Sequence, residues 1–214
     1  MSDQLYLSLW FPNFRLEALP AALISVLQQF ARISGDSRVS AASAIPIDWT
    51  ESPIYQRIYV NDEQAQESDD SKIENAVREA TEQLHDDTAY EFEMKWQLWL
   101  PESAEGFDTT WRLQPHTVKI TGFGPEFDEG AYDQNGHIRV DFGLDTPWVL
   151  DTPEILEDED LDKTAQQKIQ QNVEKLLAFT LSVEKHSGIS SRLLWTESGE
   201  PLAEKLVASL QRLN

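Results

Sequence analysis

A chain of 214 residues with 38 acidic against 17 basic side chains carries a formal charge of −21 at pH 7. That balance excludes the Lys/Arg footprint that holds a nucleic-acid backbone and the polybasic patch that holds an anionic membrane. Hydrophobic residues at 40% and aromatics at 10% exclude wholesale disorder, and the absence of cysteine excludes disulfides, thiol nucleophiles and thiolate metal sites.

The opening Met1-Ser2-Asp3-Gln4 has no basic n-region of a secretory signal. The apolar stretches around Leu5–Phe11 and Leu19–Leu27 are too short for a membrane span. The expectation is a soluble, cytoplasmic protein.

Gln4–Pro12 reads as a strand, with Leu5, Leu7 and Leu9 alternating against Tyr6, Ser8 and Trp10. Both faces are rather apolar, which suits a strand covered on both sides. Leu19–Ile33 has helical spacing, with Pro20 in the first turn and Gly35 as the stop. Arg38–Ile47 and Pro53–Val60 read as two strands, and Asn61–Asp70 as a solvated acidic loop. Ser71 and Glu74 form a capping box ahead of a helix that carries Ile73, Val77, Ala80 and Leu84 and ends near His85.

Tyr90–Leu100 holds the clearest period of two, with Tyr90, Phe92, Met94, Trp96, Leu98 and Leu100 on one face. Thr109–Phe123 is a second strand, with a bulge expected at Pro115 because proline cannot donate to a ladder. Asn135-Gly136 reads as a tight hairpin turn, since both residues tolerate positive φ. His137–Leu144 returns as a strand that Thr146–Leu150 extends. After the acidic run Asp151–Asp162, a capping box at Thr164–Gln167 opens a long helix with Ile169, Val173, Leu176, Leu177, Thr180 and Leu181 inward. A short apolar element at Leu193–Trp195 leads to a last helix from Pro201.

The fold class read from this order is α+β. It is a single domain with a mostly antiparallel sheet of about six strands and helices packed on one face. The first six elements have the βαββαβ order of a ferredoxin-like half, here residues 1–101. Residues 102–214 would extend it by a β-meander and two C-terminal helices.

No catalytic motif, cofactor or metal site is expected. His85, His116, His137 and His186 are scattered without ligand spacing. The EF-hand-like run at Asp133–Gly136 would put Ala131 and Phe142 at ligand positions that need carboxylates. Two stretches stand out. One is the Gly-rich loop after Phe123, where Glu126, Asp128, Glu129 and Asp133 lie beside Tyr132. The other is the acidic run containing Glu157, Asp158, Glu159 and Asp160, which reads as a solvated linker or a docking element. Trp99, on the polar side of its strand, offers a stacking surface unless a helix covers it. The expected function is a non-enzymatic acidic protein that binds a basic protein partner, in the manner of an immunity protein or inhibitor. The alternative is a small-molecule or carbohydrate-processing domain using the acidic, aromatic loop.

Overall fold

The computed structural model describes residues 3–47, 53–58, 69–103, 109–128, 131–149 and 159–199. Seven strands form one antiparallel sheet. They are β1 Gln4–Trp10, β2 Val39–Pro46, β3 Tyr55–Ile58, β4 Thr88–Ser103, β5 Thr109–Phe123, β6 Ile138–Leu144 and β7 Ser191–Thr196. The helices are α1 Leu19–Ser34, α2 Asp69–Ala80, the one-turn α3 Ala131–Asn135 and α4 Glu159–His186. None is long and apolar enough to cross a membrane among the described residues.

The sheet order is β3-β2-β4-β5-β6-β1-β7. A ferredoxin-like half would set β4 beside β1, whereas β5 and β6 lie between them. The element order is therefore the expected one, but the ferredoxin-like arrangement is not formed. The meander is formed, since β4, β5 and β6 are consecutive neighbours.

Helices α1, α2 and α4 make one layer: α1 touches both others, and they rest on β2, β4 and β5. The alternation dictates which side faces them. Leu5, Leu7, Leu9, Phe92, Met94, Trp96, Leu98, Val118, Ile120, Ile138, Val140 and Phe142 are all fully or almost fully buried. Trp96, Phe142, Phe30 and Phe179 interlock there at ring separations of 5.2–6.0 Å. Gly122 lets α1 approach, because a Cβ there would lie 2.5 Å from Leu19 Cδ1.

Several local expectations are corrected. Gly35 does end α1 in the left-handed conformation, with φ of 75° and its N–H donated to Ala31. But Ser71 lies within α2 and Thr164 within α4, so neither stands at the first position of its helix. Helix α2 stops at Ala80, and its exit is held by Tyr90, whose hydroxyl donates to Gln83 O and accepts His85 N–H. Pro115 causes no bulge. It pairs with Gln97 in an unshifted register, and β6 bonds β5 only from Lys119 to Gly122, so no strand needs its missing donor. Asn135-Gly136 is not a hairpin turn; it closes α3, with Gly136 at φ 96° against Leu9.

Thr146–Leu150 does not extend β6, at least as far as Val149. Asp145 exchanges hydrogen bonds with the Asp3 backbone. A turn follows, and Trp148 drops into the core at 6.0 Å from Phe142. On α4, Leu177 and Leu181 are 41% and 56% exposed, while Phe179 and Val183 are buried. Ile169, Val173, Leu176 and Thr180 face inward as expected, and Phe179 and Val183 take the places expected of Leu177 and Leu181. The helix from Pro201 and most of the 61–70 loop lie outside the described residues.

Candidate functional site

The strands β4 and β5 meet at one end of the sheet, where Ala89 pairs with Phe123. The loop that follows Phe123 turns back onto the turn that precedes β4. Gly124 N–H donates to Thr88 O at 2.9 Å, and Glu126 N–H donates to Asp86 O at 2.7 Å. Only glycine permits this approach: a Cβ on Gly124 would lie 2.3 Å from Asp86 O. Two sequence-distant turns thus become one surface carrying Asp86, Asp87, Glu126 and Asp128, all exposed. Exposed carboxylates in water repel each other only weakly, by about 1 kcal/mol at 4 Å. The fold can therefore hold them together at modest cost.

Of the residues singled out by sequence, Phe123, Glu126 and Asp128 belong to this end. Asp133 is exposed on α3, and its backbone carbonyl accepts the Trp10 indole N–H at 3.0 Å. Glu129, Glu157 and Asp158 lie outside the described residues, and only the backbone of Tyr132, Glu159 and Asp160 is described. Among the described residues, no group of three or more carboxylates or imidazoles is placed to hold a metal ion.

Trp99 is covered by α4. Lys168 Nζ sits 3.3 Å above its ring, and its indole N–H donates to Gln171 Oε1 at 2.7 Å. It is a docking point for the helix. Below it, α4 closes an open sheet edge, because β2 bonds β4 only as far as Met94. Asn172 accepts Trp99 N–H at 2.9 Å and donates to Trp99 O and Pro147 O, both at 2.8 Å. Lys175 Nζ donates to Gln97 O at 2.8 Å, and burial pushes its pKa down.

The face of the sheet away from the helices carries an aromatic ladder that sequence reasoning did not assemble. Trp195 lies 4.7 Å from Tyr6. The Arg139 guanidinium lies 5.2 Å from the Tyr6 ring and 5.1 Å from the Phe123 ring. Phe123 in turn lies 5.6 Å from Phe127, inside the acidic loop. The alternation of β6 places Arg139 opposite Ile138 and Val140, so its face was legible. Its neighbours were not, because they come from β1 and β5.

His137 packs against the segment between β1 and α1. It is 9% exposed, stacks on Phe14 at 4.4 Å and accepts Phe11 N–H at Nδ1. Burial holds its pKa below the ordinary value, with Asp133 opposing the shift. Because the folded state resists protonation, the associated stability is full above about pH 6.5. It is lost as pH falls below that value towards the folded-state pKa. Urea midpoints should therefore drop between pH 7.5 and 5.5, and His137→Phe should flatten that part of the profile. An unchanged slope in the variant would assign the drop to other groups.

Comparison with known proteins finds no matching family model, curated protein or solved structure.

Proposed function

We propose that this protein is a non-enzymatic, acidic binding protein for a basic protein partner, with an immunity- or inhibitor-like role. One observation carries the reading. The loop after Phe123 is bonded to the turn before β4, so that Asp86, Asp87, Glu126 and Asp128 form one exposed acidic surface. In a chain of net charge −21, such a surface concentrates a field that already attracts cations, which raises association rates more than it raises final affinity.

Capture of basic proteins from host lysate at low salt tests the reading. Neutralising the four acids (Asp86→Asn, Asp87→Asn, Glu126→Gln, Asp128→Asn) should slow association about tenfold or more, within the range of electrostatic steering. A control of equal charge change (Glu17→Gln, Glu74→Gln, Glu174→Gln, Glu197→Gln) should slow it much less. Equal slowing would show that net charge acts without a site. Failure to capture any basic partner would remove the reading.

A further inference from the structure

Resting on the basic-partner reading, we propose that Arg139 is the anchor of that interface and receives one carboxylate of the partner. Arg139 is only partly exposed, and its guanidinium carbon lies within 5.2 Å of the Tyr6 ring and 5.1 Å of the Phe123 ring. Among the described residues, no hydrogen bond or ion pair ties its guanidinium to a carboxylate. The acid two residues along β6 on the same face, Asp141, makes no ion pair with it and uses Oδ1 to accept Gln4 Nε2 at 2.7 Å and Gly143 N–H at 2.8 Å. In a chain with more than twice as many acids as bases, a guanidinium that makes no ion pair and is flanked by two rings is placed for an acceptor from outside. Its planar fork matches a carboxylate through two parallel hydrogen bonds.

The setting is that of an interface centre. The ladder runs through Trp195, Tyr6, Arg139, Phe123 and Phe127, across four adjacent strands, or about 15 Å at ordinary strand spacing. Aromatic and arginine side chains are the residues that dominate binding energy at protein interfaces. The ladder lies along a sheet face on the side away from α1, α2 and α4, whereas small-molecule sites are typically concave, so the surface fits a protein. A purely anionic ligand would be repelled by the whole molecule. A partner that is basic overall, with one acid flanked by apolar side chains, satisfies both features. Its lysines or arginines meet Glu126 and Asp128, while its single acid meets Arg139.

A labelled, amidated peptide with one glutamate between two phenylalanines, and two lysines at each end, tests this against the same peptide with glutamine. At low salt, both should bind wild-type protein through the acidic loop. The glutamate peptide should bind about tenfold tighter, the equivalent of one charge-assisted hydrogen-bonded pair, and should shift the Arg139 Nε–H resonance. Arg139→Lys, which keeps the charge and loses the fork, should erase most of that preference without changing the fold. Equal binding of the two peptides, or an undiminished preference in Arg139→Lys, overturns the proposal and leaves the basic-partner reading standing. If neither peptide binds at low salt, both fail.

Discussion

Replacing Asn172 with alanine should lower the unfolding free energy by about 3–5 kcal/mol, because it strands three backbone groups that each cost about 1–3 kcal/mol when buried without a partner. The side chain is 2% exposed. Its amide both accepts from and donates to Trp99, as a neighbouring strand would, and also reaches Pro147 O. The change should appear as a lower denaturant midpoint with an unchanged slope, since the folded surface area is hardly altered. Asn172→Asp should be at least as damaging at neutral pH. A carboxylate can still accept from Trp99 N–H, but it faces two carbonyls it cannot satisfy. A loss below about 1 kcal/mol, the net worth of a single ordinary hydrogen bond, would show that α4 does not seal the β4 edge.

Gly124→Ala should cost about 3 kcal/mol, at the upper end of the range for overpacking. The added methyl would meet the Asp86 backbone, with O at 2.3 Å and C at 2.6 Å. Backbone cannot rotate away as a flexible side chain can, so the loop must lift from the turn. This variant should therefore lose partner association as well as stability. Asn172→Ala, acting far from that end, should lose stability alone. Stability curves and association rates measured on both variants separate the two effects. A Gly124→Ala protein that associates at the wild-type rate would show that the docking of the two turns is irrelevant to binding.

The candidate site was half visible in the sequence. Glu126 and Asp128 stand out as carboxylates in a glycine-rich loop, and Gly124 could be noted there without its purpose being known. Asp86 and Asp87 look like ordinary turn residues until Glu126 N–H is seen to bond Asp86 O. Trp99 could be placed on the polar side of its strand, but whether it was open or covered depended on the path of α4. Arg139 was legible as a residue on the wet side of β6. That it stands between Tyr6 and Phe123 follows from β6 lying between β5 and β1.

The sequence by itself determined the class, α+β, and nearly all the strands and helices. Period-two and period-3.6 burial are local properties that each segment carries alone. It determined the buried face of β4 and β6 for the same reason, whereas β1, apolar on both faces, left that choice open. Only the tertiary structure decided the strand order, which put β1 next to β6 and β7 in place of β4. Pairing between distant strands depends on how the helix layer fits over the whole sheet, and local periodicity does not encode that. It also decided that Ser71 and Thr164 sit inside their helices. It decided that α4 buries Phe179 and exposes Leu181. There, several leucine and phenylalanine positions could each have faced inward, and the fit against Phe30 and Phe142 selected one.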